Sequence, residues 1–264
     1  MEGIFNTELA HIVHWFHANK LSLNVSKTHC ILFSRKLNLP PSITVGNNKI
    51  EFVNQTKFLG VTLCKSLRWE SHINVVCNKI SKTTGILNKL KFKIPQKSLL
   101  SLYKSFIYPY LHYCNIIWGH SAHCHLSKIL KIQKRAVRTI MHKGPRDHSF
   151  PLFQELDILT IFEITIYCKC IFMFEFMTHR LPPIFHRLFS YRTDVHAHNT
   201  RSIQCFNTPR CRSEFSRKFV TYAGPFLINQ LLRHPNFSDV LTLSKLNFKK
   251  RLHKLVRTPF FINI

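Results

Sequence analysis

One lysine of the chain stands where a predicted turn would present it to a ligand. In residues 15–33, apolar and polar side chains alternate on both sides of a polar segment at residues 24–28. This alternation predicts two short, half-buried strands, preceded by a helix that ends near Asn19. The turn between the strands presents Lys27, whose ammonium group could contact a phosphate. The alternative is that Lys27 is a turn lysine in solvent.

A second set of candidate residues is a row of cations on one predicted helix. Residues 126–141 place apolar side chains on one arc at about 100° per residue. The opposite arc carries Lys128, Lys131, Lys134, Arg135 and Arg138. Such a row is most often a solvated helix face, but residues 126–146 contain no Asp or Glu, so ion pairs along the helix are not its purpose. The pattern favours contact with phosphates over solvation.

Carboxylates that could hold catalytic metal ions are scarce. Phosphoryl transfer by two metal ions needs carboxylates that converge on cations about 3.5–4 Å apart. The chain has only 12 acidic residues, and none of its aspartates is adjacent to another acid: Asp147, Asp157, Asp194 and Asp239. We therefore predict that the chain contains no polymerase-type metal site.

Histidines and cysteines cluster at residues 112–125, but without the spacing of a standard zinc site. The cluster consists of His112, Cys114, His120, His123, Cys124 and His125, and a second group comprises His196, His198, Cys205 and Cys211. The chain has no Cys-x-x-Cys pair, so we predict no metal site, with a structural zinc at the first cluster as the weaker alternative. Glycine-rich phosphate loops and Gly-x-Ser-x-Gly elbows are also absent, and no small-molecule substrate site is predicted.

The segment around Lys27 resembles a known family. The pattern Trp-x-x-x-Asn-x-Leu-x-Leu-Asn-x-x-Lys-Thr starts at Trp15, and Phe-Leu-Gly-Val follows about thirty residues after it. Together they resemble the end of the palm in reverse transcriptases of non-LTR (LINE, jockey-like) retrotransposons. In that resemblance Asn24, Lys27 and Thr28 match motif D. The primer grip, motif E, is matched by Phe58, Leu59 and Gly60.

The resemblance implies roles for these residues in an intact enzyme. Lys27 would stabilise the leaving pyrophosphate or donate a proton to it, and Phe58, Leu59 and Gly60 would steady the end of the primer. By pattern alone, however, residues 58–61 are also an ordinary core strand. The cationic helix would belong to the thumb, which holds the primer–template duplex by its backbone. Magnesium is implied for the intact enzyme, but no cofactor is expected in this chain, because the family's paired aspartates are missing from it.

The resemblance therefore predicts a truncated fragment of a retrotransposon RNA-directed DNA polymerase. We expect it to be inactive alone and to retain only binding to the backbone of the primer–template duplex. The alternative is a stand-alone, non-catalytic, basic nucleic-acid-binding protein.

Composition points to the same kind of partner. The chain has 264 residues, 45% of them hydrophobic, which is enough for a core, and its formal net charge is +26. An excess of positive charge spread over the whole length favours a nucleic-acid partner, an RNA or DNA duplex in this case. The nine cysteines with no secretory signal favour an intracellular location, cytoplasmic or nuclear.

One apolar segment, residues 158–177, could be either a membrane-spanning helix or a helix buried in the core. Glu163, Lys169 and Glu175 interrupt it and point in three directions on a helix. Any orientation in lipid would expose a charge, at about 2.5–3.5 kcal/mol near the midplane. We predict a buried helix and no membrane partner.

These elements define an α+β fold that is mainly α. Residues 1–66 form a β-rich palm remnant, with a helix at residues 7–18 capped by Asn6 or Thr7, a hairpin at 43–52 and a strand at 58–63. Residues 67–145 form a three-helix, thumb-like bundle, whose second helix has an apolar face from Leu99 to Tyr110. Residues 146–264 form a helical C-terminal region. In it, a helix near Phe219 stops at Gly224-Pro225, and a basic tail closes the chain.

Overall fold

The computed structural model describes residues 2–33, 42–46, 48–195, 205–237 and 239–261. Helices predominate in it and the strands are few and short, so the predicted α+β, mainly α class is confirmed. The chain divides into two compact units, Met1–His72 and Ile73–Ile264. The predicted domain boundaries after residues 66 and 145 stay predictions.

The described residues of the first unit form one long helix and three small sheets. Its elements are α1 (Glu2–Ala18), β1 (His29–Cys30), β2 (Thr44–Val45), β3 (Asn48–Lys49), β4 (Glu51–Phe52), β5 (Gln55–Phe58) and β6 (Val61–Cys64). Strand β1 pairs with β4 in parallel, whereas β2 pairs with β3, and β5 with β6, as antiparallel hairpins. The hairpin predicted around Gly46 is confirmed, and the positive φ of Gly46, 56°, suits its tight turn. Asn47 lies outside the described residues.

The strand predicted before Lys27 and the cap predicted at Asn6 are wrong, and the strand predicted after Lys27 is limited to β1. The segment before Lys27 is not a strand, because the side chain of Asn24 accepts from the backbone N–H of Lys27 and closes a 3-10 turn, Val25–Lys27. This local hydrogen bond competes with strand pairing. Asn6 does not cap α1 but lies inside it. Its amide donates to the carbonyl of Ser42 at 3.2 Å and accepts from the N–H of Thr44 at 3.2 Å, and so fastens α1 to β2.

The second unit is built from helices. They are α2 (Glu70–Leu90, which begins in the first unit), α3 (Gln96–Phe106), α4 (Tyr108–His112), α5 (Asn115–Trp118), α6 (His123–Ile140), α7 (Phe150–Glu155), α8 (Ile161–Met177), α9 (Glu214–Arg217), α10 (Val220–Leu232) and α11 (Lys245–Val256). Helix α2 buries one apolar face, formed by Ile73, Val76, Ile80 and Leu87.

The continuous helix predicted through Tyr110 is interrupted. It breaks after Phe106, and α4 restarts with Pro109 in its first turn, because proline has no N–H to continue the hydrogen-bond ladder. As a result, Leu99 and Tyr103 are buried as predicted, whereas Phe106 and Tyr110 are exposed.

Helix α8 is the centre of the second unit. It packs against α4, α5, α6, α10 and α11 and buries most of its length, as predicted. Its three charges all have structural partners: Glu163 completes a capping box with Thr160, Lys169 donates to the carbonyl of Lys218 at 2.9 Å, and Glu175 pairs with Lys245. Within the described ranges, no helix is long and apolar enough to cross a membrane.

The C-terminal region differs from the prediction in two places. Helix α10 runs through Gly224-Pro225 instead of stopping there, because it is held against α8: a Cβ on Gly224 would lie 2.8 Å from Sδ of Met173. The predicted basic tail is the amphipathic helix α11, whose Phe248 is buried and stacks on Phe174 at 4.1 Å between ring centroids. Two members of the second histidine and cysteine group, His196 and His198, lie outside the described ranges.

Candidate nucleic-acid interface

The cationic helix α6 is held in place by its apolar face. Leu126, Ile129, Ala136, Val137 and Ile140 are buried as predicted, and the helix packs against α3, α7 and α8. This packing orients the opposite face away from the core. Lys128, Lys131 and Arg135 are accordingly exposed, and Lys134 and Arg138 are half-buried.

One polar residue in the buried arc of α6 was missed by the sequence analysis. Gln133 is fully buried, and its amide nitrogen donates to the hydroxyl of Tyr103 at 3.0 Å and to the carbonyl of Leu159 at 3.1 Å. Its amide oxygen accepts from the N–H of Ile161 at 2.8 Å. Gln133 thereby joins α6 to α3 and to the start of α8. Its spacing from Ile129 and Val137, one helical turn on either side, was the signal that places it in the core.

A cleft of about 570 Å³ lies between α2 and α6. Residues from both helices and from the turns that follow them line it: Thr84, Gly85, Asn88, Lys91, Lys131, Arg135, Arg138, Thr139, Lys143 and Pro145. Five of these carry a positive charge, and none of the described lining residues is acidic. Closely spaced cations in a concave, acid-free surface attract a polyanion more strongly than the same cations on a convex one.

The structure brings together only part of the predicted row of cations. Lys131, Arg135 and Arg138 line the cleft, whereas Lys128 and Lys134 do not. Lys91 and Lys143 line it as well. The sequence analysis did not include them, because each follows the end of a helix, where helical periodicity no longer predicts the direction of a side chain. That the predicted residues contact phosphate stays a prediction.

Arg138 also has a structural role beside the cleft. Its Nε donates to the carbonyl of Asp147 at 2.7 Å, and the Asp147 carboxylate accepts from the N–H of Gly144 at 2.8 Å. The carboxylate of Asp147 is therefore bound to a backbone N–H of its own turn. By contrast, Lys131 and Arg135 have no ion-pair partner in the part of the chain that the structure describes.

The primer-grip-like residues form the tip of a hairpin in the first unit. The strand predicted at 58–63 is confirmed only from Val61, where β6 begins, because a turn at Leu59 and Gly60 separates Val61 from Phe58. Phe58 pairs with Val61 across a two-residue turn in which Leu59 and Gly60 have φ values of 44° and 83°. Two positive φ values in succession match a type I′ turn, which is strained for leucine. Phe58 is 60% and Leu59 74% exposed, so the interpretation of this segment as core is wrong for these two residues, whereas Val61 is buried.

Lys27 lies in the same unit, at the end of the 3-10 turn that Asn24 caps. Its side chain is exposed, as predicted for a residue presented by a turn. Thr28, the next residue, donates its hydroxyl to the carbonyl of Asn24 at 2.9 Å and completes the turn. A role for Lys27 at a leaving group stays a prediction.

The four aspartates make four separate contacts, and the absence of a polymerase-type magnesium site stays a prediction. Asp147 binds the N–H of Gly144, Asp194 binds the N–H of Tyr191, Asp239 pairs with Arg251 and Asp157 pairs with Arg257. Each of the four aspartates thus serves its own local contact rather than a shared centre.

The histidine and cysteine cluster at residues 112–125 is dispersed by the fold. His112 lies beside Cys168, with 3.7 Å between Nδ1 and Sγ, and stacks on Tyr108. His120 packs on Phe219. Among the described residues, no three His, Cys, Asp or Glu side chains are grouped as metal ligands would be.

Two buried bases near α8 have strongly shifted pKa values. Burial lowers the pKa of Lys169 to about 8, with the charge of Lys218 adding to the effect. Burial likewise lowers the pKa of His120 to about 4, and the nearby charge of Lys169 contributes. Both groups are part of the core of the second unit and not of the cleft.

The proteins to which this chain is similar are RNA-directed DNA polymerases of mobile elements, which confirms the resemblance to jockey-like non-LTR reverse transcriptases. The chain is 25% identical over 153 residues to the probable RNA-directed DNA polymerase from transposon X-element of Drosophila melanogaster, covering 56% of this chain and 17% of that protein. It is 26% identical over 129 residues to the RNA-directed DNA polymerase from mobile element jockey of Drosophila funebris, covering 48% of this chain and 14% of that protein.

The jockey polymerase of Drosophila melanogaster is similar at 24% identity over 130 residues. The matched part of the chain thus spans less than a fifth of the length of each of these relatives. No protein-family model matches the chain. No solved structure matches it either.

Proposed function

We propose that this chain binds the sugar-phosphate backbone of a primer–template duplex, as the gripping part of an RNA-directed DNA polymerase, and does not itself join nucleotides. The observation that carries the proposal is the cleft between α2 and α6, which five cations line and whose described lining contains no acidic residue. The similarity to polymerases of mobile elements supplies the class of ligand. An intracellular place of action, cytoplasmic or nuclear, belongs to the same proposal.

Binding in the cleft would be independent of sequence. Lysine and arginine side chains bind phosphate oxygens, which are the same at every base pair, and each phosphate that is neutralised releases condensed counterions. Five cations in the cleft correspond to a slope of about −4 to −5 in a plot of log affinity against log salt concentration for a duplex.

The absence of polymerisation is proposed from the acidic residues. Two metal ions need carboxylates that converge, and the four aspartates of this chain are engaged separately with backbone N–H groups or arginines. A chain that holds a duplex without positioning metal ions would grip the nucleic acid and leave the chemistry to other residues.

The experiment is a fluorescence-polarisation titration of a labelled RNA–DNA duplex across salt concentrations. The test variant replaces Lys91, Lys131, Arg135 and Lys143 by glutamine and retains Arg138, which holds the turn at Asp147. We expect it to lower affinity for every duplex sequence and to reduce the salt slope by roughly four.

A matched control variant makes the same change in net charge at positions outside the cleft. It replaces four exposed lysines that do not line the cleft by glutamine: Lys97, Lys104, Lys250 and Lys254. If both variants lose the same affinity and slope, binding depends on total charge and the cleft is not the site.

A further inference from the structure

Helix α2 has a glycine, Gly85, that lines the cleft and that neither backbone conformation nor packing explains. Gly85 lies in the fifth turn of a helix of 21 residues and is exposed. Glycine in a helix interior destabilises it relative to alanine, because the backbone loses more freedom on folding. The structure does not require this loss of helix stability at Gly85.

Neither of the usual structural reasons for a helical glycine applies. The backbone of Gly85 has no positive φ, so a side chain would cause no strain. A Cβ built on Gly85 meets no atom within 4 Å, so no neighbouring helix needs the space. Two other glycines of this unit are different, since a Cβ at Gly119 would clash with the Asn115 side chain and a Cβ at Gly224 would lie 2.8 Å from Met173.

The space that Gly85 leaves open faces the cations of the cleft. Gly85, Asn88 and Lys91 follow one another at intervals of three residues, so they share one face of α2 and its extension. All three line the cleft, together with Lys131 and Arg135 of α6. A ligand bound by both walls would therefore pass directly over Gly85.

We propose that Gly85 is a positioning residue that lets one sugar-phosphate strand lie against the backbone of α2. This inference rests on the proposed function and specifies it. The strand touches the helix at Gly85 and is close enough to reach the cations of both walls. A side chain at Gly85 lifts the strand away and lengthens all of its phosphate contacts together.

The proposal predicts opposite effects on stability and binding. Gly85→Ala is expected to raise the melting temperature of the second unit by about 2–4 °C while weakening duplex binding. Gly85→Leu is expected to weaken it by about tenfold or more and to flatten the salt slope, because attraction to each phosphate falls with distance. A glycine retained for packing would give destabilised variants instead.

The control is Val75→Leu, which adds bulk at an exposed position of α2 that does not line the cleft. It should leave affinity and salt slope unchanged. If wild-type protein binds with a steep salt slope and Gly85→Leu binds equally well, the positioning role is refuted while the proposed function stands. If wild-type protein shows no salt-sensitive binding at all, the proposed function itself fails.

Discussion

The buried lysine of α8 makes the stability of the second unit depend on pH at the alkaline end. Lys169 is only 7% exposed, and its ammonium group donates to the carbonyl of Lys218 at 2.9 Å. Burial lowers its pKa from 10.5 to about 8. The charged form is thus less stable in the folded protein than in the unfolded chain.

The sign follows from proton binding. Between pH 8 and 10.5 the unfolded chain holds a proton on Lys169 that the folded protein has released, so the free energy of unfolding rises with pH in this interval. Below pH 8 both states are protonated, and the folded protein bears the whole cost of the buried charge. At about 1.4 kcal/mol per pKa unit, the shift from 10.5 to about 8 corresponds to about 3 kcal/mol.

The test compares wild-type protein with Lys169→Met, which keeps an unbranched side chain in the core and removes the titrating group. Urea unfolding at pH 7 to 11 gives the free energy of unfolding of each protein. We expect wild type to gain about 3 kcal/mol relative to the variant across this range. Effects of other groups that titrate there cancel in the difference.

The absolute stability of Lys169→Met at one pH decides nothing, because the carbonyl of Lys218 loses its donor in the variant. The slope decides. Lys250→Met, which removes an exposed lysine of α11, serves as the control and should run parallel to wild type. If Lys169→Met also runs parallel to wild type, the argument from burial is refuted.

Two further predictions concern the bundle and the chemistry. Gln133→Leu should destabilise the second unit by about 3–5 kcal/mol, because it leaves three buried partners without their hydrogen bonds. Tyr103→Phe removes one of these bonds and should cost only about 1 kcal/mol; equal costs in urea unfolding would show that Gln133 is not a junction. In a primer-extension assay with magnesium and all four nucleotides, the purified chain should add no nucleotide, and incorporation that copurifies with the chain would contradict the proposal.

The faces of α6 could be predicted from sequence because the helix is long and its pattern is strong. Eighteen residues with apolar side chains on one arc leave a single orientation against a core. The cleft could not be predicted in the same way, since its other wall belongs to α2, and the approach of two helices is a tertiary property. Lys91 and Lys143 join the cleft only through that approach.

The wrong predictions have local physical causes. Alternation before Lys27 suggested a strand, but the side chain of Asn24 offers the backbone a competing hydrogen bond. Gly224-Pro225 suggested a stop, but close packing of Gly224 on Met173 holds α10 to α8 through the proline. Propensity gave way to side-chain capping in the first case and to tertiary packing in the second.

The distribution of the few acidic residues strengthens the case for the cleft. In the C-terminal region, Glu175 pairs with Lys245, Asp239 with Arg251 and Asp157 with Arg257, so acids pair with two of the cations of α11 and with the arginine of the turn after it. Neutralising a cleft lysine removes no such pair and relieves repulsion among its neighbours, so it should cost little stability. Lys131 and Arg135, which line the cleft and pair with no acid among the described residues, therefore support the proposed polyanion ligand.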